Sequence, residues 1–100
     1  IQEGILSNMN SIENFHILNT YPNPFNPVIS IEFSTIETQN IQVFIYDLMG
    51  NKIETLFDGL SQSNVLNTLT WDASRYSSGD YFIHLVSDEF SKTNKITLMK

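Results

Sequence analysis

The sequence contains no cysteine, only three prolines and four glycines, and five basic residues against eleven acidic ones. The absence of cysteine excludes disulfide bonds and thiolate zinc sites. The shortage of lysine and arginine argues against a nucleic-acid partner, because phosphate binding needs clustered positive charge. No apolar run is long enough to span a membrane as a helix. The remaining composition, with 41% hydrophobic residues in 100, is that of one ordinary globular domain.

All three prolines lie within seven residues, and this stretch is called the proline motif: Tyr21-Pro22-Asn23-Pro24-Phe25-Asn26-Pro27. Each proline fixes its own φ, lacks an N–H donor and biases the preceding residue toward extended backbone. The proline motif is therefore expected to be a stiff extended corner, neither helix nor central strand. We expect Tyr21 and Phe25 to anchor this corner in a hydrophobic core.

From Phe15 onward, apolar residues alternate with polar ones, which is typical of half-buried strands. A strand around Tyr81 to Val86 is apolar on both faces and is expected to lie at the centre of its sheet. Residues 1–14 have weak periodicity and are interpreted as a linker. Seven short strands without a convincing helix indicate an all-β, seven-stranded immunoglobulin-like β-sandwich. The predicted strands are residues 15–20, 28–34, 41–47, 52–57, 65–71, 80–87 and 91–99.

Glycine and charge mark specific positions between these strands. Gly50 lies in a predicted hairpin turn and Gly79 at a strand junction, and both are expected to need positive φ. A further turn is predicted at Asp58-Gly59. The last ten residues contain no acid and three of the five basic residues, so one basic segment ends an acidic chain. Those three residues are Lys92, Lys95 and Lys100.

The sequence has no motif that predicts catalysis or a cofactor. His16 and His84 are far apart, no nucleophile elbow is present, and glycine does not cluster as in a phosphate-binding loop. No calcium-loop spacing occurs, although turn carboxylates keep a calcium-stabilised spacer open as a hypothesis. Four aromatic residues offer a sugar-stacking platform, but packing in the core is favoured for them. They are Trp71, Tyr76, Tyr81 and Phe82.

Five sequence blocks occur in a fixed order. The proline motif runs directly into Val28-Ile-Ser-Ile-Glu-Phe33, and four blocks follow: Val43-Phe-Ile-Tyr-Asp-Leu-Met-Gly50, Thr70-Trp-Asp72, Ser78-Gly-Asp-Tyr-Phe82 and Lys95-Ile-Thr-Leu-Met-Lys100. This succession closely resembles the type A C-terminal sorting domain of the type IX secretion system, over residues 15–100. Val28 and Asp80 depart mildly from the residues common at those positions.

The resemblance implies a non-catalytic delivery domain with an immunoglobulin-like fold. Its implied partners are an N-terminal passenger, the outer-membrane type IX translocon that recognises the domain, and a sortase-like protease that removes it. The implied route crosses the periplasm and ends at the outer-membrane surface or in the medium. No nucleic acid, cofactor or small-molecule substrate is implied. The alternative is an accessory carbohydrate- or surface-binding module of a larger secreted enzyme.

A physical expectation accompanies this resemblance. A last strand with a free edge and a basic end offers a translocon a defined surface, through strand addition or end-clamping. We expect Ile96 and Leu98 to hold that strand to the sandwich while Lys95 and Thr97 point outward. The first residues do not form a signal peptide. The chain is therefore expected to be either cytoplasmic or the terminal part of a larger precursor.

Overall fold

The computed structural model describes residues 18–100, so the predicted linker, His16 and the start of the predicted first strand lie outside the described residues. Residues 18–100 form seven strands and no helix. This part of the chain contains no apolar helix of membrane-spanning length. The strands are β1 (Leu18–Tyr21), β2 (Val28–Phe33), β3 (Gln39–Tyr46), β4 (Lys52–Ser61), β5 (Asn67–Asp72), β6 (Gly79–Val86) and β7 (Ser91–Leu98).

These strands form two antiparallel sheets. One sheet has the order β1-β2-β5 and the other β4-β3-β6-β7. The central position predicted for β6 is confirmed, since it pairs with β3 on one side and β7 on the other. The side chains that both sheets bury form one hydrophobic cluster. The prediction of seven strands in an all-β domain is therefore confirmed.

Successive side chains of a strand point to opposite faces, and this period of two residues determines which side chains enter the core. Ile29, Ile31 and Phe33 of β2 are fully buried, as are Ile41 and the following alternate residues of β3. Burying each such side chain contributes about 1.5–3 kcal/mol relative to leaving it in water. The alternation that predicted these strands therefore also supplies the main force that joins the two sheets.

The turn predicted at Asp58-Gly59 is wrong. Both residues continue β4, where Asp58 pairs with Gln42 and Gly59 with Ile41. The ladder extends because it ends on Ser61, whose buried hydroxyl shares a 2.9 Å hydrogen bond with the hydroxyl of Thr35. The connection between β4 and β5 therefore begins at residue 62, directly after Ser61, and β5 begins at Asn67. Val65 and Leu66 consequently stay outside the strand and exposed.

The antiparallel order places the connections at two ends. One end, called the motif end, contains residues 22–27, the β3–β4 turn at residues 47–51, the β5–β6 connection at residues 73–78, and the segment that follows β7. The opposite end contains residues 34–38, 62–66 and 87–90 together with the start of β1. Most sequence blocks that carry the family resemblance thus converge on the motif end.

Candidate functional site

The proline motif crosses from the first sheet to the outer edge of β7. The Phe25 N–H donates to the Thr97 carbonyl at 2.9 Å, and the Met99 N–H donates to the Phe25 carbonyl at 2.9 Å. These two bonds create an isolated parallel bridge between Phe25 and Leu98. The proline motif is therefore the extended corner that its prolines predict, and it continues as a partner of the last strand.

The Asn23 side chain adds two hydrogen bonds to the same edge. Its amide nitrogen donates to the Lys95 carbonyl at 3.2 Å, and its amide oxygen accepts from the Thr97 N–H at 3.0 Å. The edge of β7 is thus covered from Lys95 to Met99. The expectation of a last strand with a free edge is wrong from Lys95 onward, because the backbone groups there are satisfied by a neighbouring segment of the same chain.

The two aromatic residues of the proline motif differ. Phe25 is buried, with its ring 5.8 Å from that of Trp71, whereas Tyr21 is 47% exposed. The prediction that both anchor the core is wrong for Tyr21. Leu18 faces inward in β1, and the period of two turns Tyr21 outward. Its hydroxyl donates to the Glu32 carboxylate at 2.7 Å, which raises the pKa of Tyr21.

Behind Phe25 lies a cluster of three further aromatic rings. Trp71 is 5.5 Å from Tyr76 and 5.6 Å from Tyr81, measured between ring centroids. Tyr81 is buried and donates its hydroxyl to the Ser77 carbonyl at 2.7 Å. Trp71 is 3% exposed, and its indole N–H has no partner among the described residues. The core interpretation is therefore confirmed for Trp71 and Tyr81, which cannot form a sugar-stacking platform.

Both predicted glycine positions adopt positive φ. Gly50 has a φ of 88° and Gly79 a φ of 152°, which confirms the expectation for both. The turn around Gly50 is closed by the Asp47 carboxylate, which accepts from the N–H groups of Met49 at 3.0 Å and Asn51 at 2.9 Å. These bonds stabilise the charged carboxylate, the contact with Asn51 most strongly, and lower the pKa of Asp47.

The three lysines of the basic segment have different surroundings. Lys95 is exposed and Lys92 is half-buried. Lys100 is tied to the β5–β6 connection, since its Nζ donates to the Ser74 carbonyl at 2.7 Å and its N–H donates to the Ser78 hydroxyl at 3.0 Å. As expected, Ile96 and Leu98 are buried. Of the three ammonium groups, that of Lys95 is therefore the most available to a partner.

Asp72 lies beside this connection. Its carboxylate accepts from both the hydroxyl and the N–H of Ser74, and these bonds, with a smaller contribution from Lys100, lower its pKa. Among residues 18–100, no group of histidine, aspartate or glutamate side chains is arranged to hold a metal ion. His84 lies on the sheet surface, where its Nδ1 contacts the Thr93 hydroxyl at 2.7 Å.

An open groove of about 620 Å³ lies between the β3–β4 turn and the β5–β6 connection. Leu48 and Met49 line it and are 70% and 86% exposed. Sequence reasoning missed these two residues, although apolar side chains inside a glycine turn were an available signal. It also missed Asn23 as a partner of β7, because no sequence signal connects residues so distant. The motif end combines apolar side chains and basic groups, which suits recognition.

Comparisons with known proteins agree with this geometry. No curated protein matches the chain. The family described as the secretion system C-terminal sorting domain matches residues 19–99, which includes the proline motif, the aromatic cluster and β7. This match covers far more than half of the chain. The chain therefore belongs to the family of secretion system C-terminal sorting domains, which are the sorting signals of type IX secretion.

Proposed function

We propose that residues 15–100 form a non-catalytic sorting domain that directs an upstream passenger through the outer membrane, with residues 1–14 as the linker. The observation that carries this proposal is the family match over residues 19–99. The structure supports it because Phe25, Trp71, Gly79 and Tyr81, which stand in the matching sequence blocks, gather at one end of the sandwich.

We infer that the sandwich is of the immunoglobulin-like type. In that fold, strands A, B and E share one sheet and C, F and G the other. The orders β1-β2-β5 and β3-β6-β7 correspond to these two sets. The fourth strand pairs with β3 instead of joining the sheet of β1, a variation among related sandwiches.

β1 starts at the end of the domain opposite the motif end. A passenger that extends from the start of β1 would therefore leave the motif end open. The type IX translocon at the outer membrane is the proposed partner for this end, after transit through the periplasm. The proposed later step is removal of the domain at the cell surface by a sortase-like protease. The proposed family-motif and recognition residues are those of the proline motif with Gly50, Trp71, Gly79, Tyr81, Lys92, Lys95 and Lys100, and the buried Phe25, Trp71 and Tyr81 among them support the shape of this end from the core.

The alternative of a carbohydrate-binding module depended on an exposed aromatic platform. Two of its four residues, Trp71 and Tyr81, are buried and cannot stack against a sugar. The test of sorting is therefore delivery itself. A fluorescent reporter with a periplasmic signal peptide is fused to the full 100-residue chain in a type IX-competent host. We expect surface fluorescence from this fusion and periplasmic retention when the chain is omitted.

Two variants of this fusion test the basic segment. Lys95→Glu with Lys100→Glu should lower the melting temperature only slightly, through the lost bond from Lys100 to the Ser74 carbonyl, since exposed charges contribute little to stability. It should nevertheless retain the reporter in the periplasm. Ile96→Asp should also unfold the domain, because it places a charge in the core. Normal delivery of the double-glutamate variant would show that charge at this end is not the signal.

A further inference from the structure

The two outer faces of the sandwich have different chemistry. The three-stranded sheet exposes mostly small or polar side chains, such as Ser30, Thr68 and Thr70. The four-stranded sheet instead presents an aromatic face, defined here as Phe44, Tyr46, Phe82 and His84 with the flanking Lys52 and Lys95. Its four ring-bearing residues are partly exposed, and they occupy the two central strands β3 and β6.

One row of this face crosses all four strands. Lys52 pairs with Tyr46, Tyr46 with Phe82, and Phe82 with Lys95, so two aromatic rings lie between two lysines. Lys52 Nζ lies 3.9 Å from the centre of the Phe44 ring, which places this ammonium group on the aromatic face. Two of the chain's five basic residues thus border one apolar strip of an acidic domain.

The nearest carboxylates lie outside this row, and the first of them, Asp47, directly follows Tyr46 and accepts hydrogen bonds from its own turn. Asp80 pairs with Thr97 in the neighbouring row, and its carboxylate accepts from the Thr97 hydroxyl at 2.9 Å. Asp58 pairs with Gln42 farther along the sheet. The row between Lys52 and Lys95 is therefore positive at both edges.

A shallow depression of about 270 Å³ lies at the motif-end half of the aromatic face, lined by Tyr46, Phe82, His84 and the exposed Leu48. Its lining is mainly apolar, and two of its polar side chains already have partners. Asp47 bonds to its own turn, and His84 Nδ1 contacts the Thr93 hydroxyl. A sugar brings hydroxyl groups that would need hydrogen-bond partners, whereas an apolar side chain does not. The depression therefore fits an apolar anchor better than a sugar ring.

We propose that the aromatic face docks a protein that presents an apolar side chain between flanking carboxylates. The side chain enters the depression beside Tyr46 and Phe82, and the carboxylates meet Lys52 and Lys95. Interfaces commonly combine a central aromatic anchor with complementary charge at the rim. This proposal rests on the sorting function, because it assigns the partner to the secretion machinery, but it extends recognition beyond the last strand.

A solution experiment tests the chemistry of the face without secretion. The isotope-labelled chain is titrated with the peptide Glu-Glu-Phe-Glu-Glu while amide shifts are followed by NMR. We expect shifts at Tyr46, Phe82 and Thr93, and their loss in Lys52→Glu. Three results would overturn the proposal. They are equal binding of the basic peptide Lys-Lys-Phe-Lys-Lys, amide shifts confined to the other outer face, and binding of a sulfated oligosaccharide in place of the acidic peptide.

The reporter fusion tests the same face in cells. Phe82→Ser and Lys52→Glu are compared with Val28→Ser and Thr70→Glu, which lie on the other outer face. Loss of a central anchor commonly weakens binding about tenfold or more. We therefore expect surface delivery to fall by about tenfold in the first two variants and to stay within about twofold of the parent in the controls.

Lys52 separates this proposal from the basic segment, because it lies in β4 and not in the last strand. Delivery is compared only between variants whose melting temperature equals that of the parent. If Phe82→Ser unfolds the domain, Lys52→Glu alone tests the aromatic face. Normal delivery of Lys52→Glu beside a delivered parent would overturn docking at the aromatic face. A parent fusion that stays in the periplasm would instead contradict the sorting function, and the titration would still decide the chemistry of the face.

Discussion

At the scale of single residues, Tyr21 and Phe25 show how position within a rigid segment decides whether a side chain is buried or exposed. Tyr21 ends β1 on its outer face and bonds to Glu32, whereas Phe25 reaches across to the Trp71 ring. Burial gives Phe25 packing contacts that the exposed Tyr21 lacks. The two aromatic residues of the proline motif are therefore not equivalent, and their substitutions should have different effects.

We predict that Phe25→Ala destabilises the domain by about 3–5 kcal/mol, since it removes a fully buried ring and leaves a cavity. Tyr21→Ala is the matched control from the same motif and should cost less than about 1 kcal/mol, in the range of exposed substitutions. Urea unfolding of the two purified variants measures both values. Similar losses for the two would contradict the assignment of Phe25 as the anchor.

The positive-φ glycines give a second prediction at this scale. Gly50→Val and Gly79→Val should each cost more than about 1 kcal/mol, because a β-branched residue is strained at positive φ. A Cβ at either position meets nothing within 4 Å, so the cost comes from the backbone and not from a clash. Gly59→Val is the control, as Gly59 lies within β4. Thermal melts in which Gly59→Val loses as much stability as Gly50→Val and Gly79→Val would contradict this explanation.

At the scale of elements, the proline motif and β7 form one unit. An unpaired strand edge invites association with other chains, and proteins protect such edges. Here residues 23–25 cover the end of β7 at Thr97 and bond to Met99, which directly follows the strand. In the middle of β7, the Asn94 side chain donates to the Leu18 carbonyl at 3.3 Å. The last strand is thus joined to the β1 side of the sandwich at two separate points.

We predict that Asn23→Ala loosens the end of β7, because it removes both side-chain bonds to that strand. Each bond contributes about 0.5–1.5 kcal/mol, with exposed bonds at the lower limit. Hydrogen exchange should become faster at the amide of Thr97. Asn26→Ala is the matched control, from an exposed asparagine of the same motif. Unchanged exchange in Asn23→Ala would show that the Phe25 backbone bonds suffice.

At the scale of the whole molecule, carboxylates that accept hydrogen bonds couple stability to pH. The pKa values of Asp47 and Asp72 are lowered in the folded state by bonds from their own turns. A lowered pKa stabilises the fold above the unfolded value of about 4, and this stability is lost as the pH falls through the folded pKa. The domain should therefore be more stable near neutral pH than in acid.

We predict that the melting temperature is level near neutral pH and falls below about pH 4. Asp47→Ala should lower the melting temperature at pH 7 and reduce the later fall, since the turn then has no carboxylate to protonate. Asp58→Ala is the control, because Asp58 lies in β4 outside these turns, and it should keep the parent's acid-induced fall. A curve for Asp47→Ala that runs parallel to the parent would contradict this coupling.

The sequence alone determined the local structure of this domain. Alternation in residues such as Ile29, Ile31 and Phe33 specified strands and their inward faces, because the side-chain period of a strand is two. Gly50 and Gly79 marked positive φ, since other residues rarely adopt it. The ordered blocks also indicated the family that matches residues 19–99. Each of these signals is contained within a few neighbouring residues.

Only the tertiary structure decided which distant segments meet. Asn23 bonds to residues more than seventy positions away, and the row from Lys52 to Lys95 is assembled from four strands. Asp58-Gly59 has the composition of a turn, but pairing with β3 and the buried Ser61 hydroxyl hold it in a strand. Hydrogen-bond ladders and core packing sum over many distant contacts, and these outweigh the local preference of any short segment.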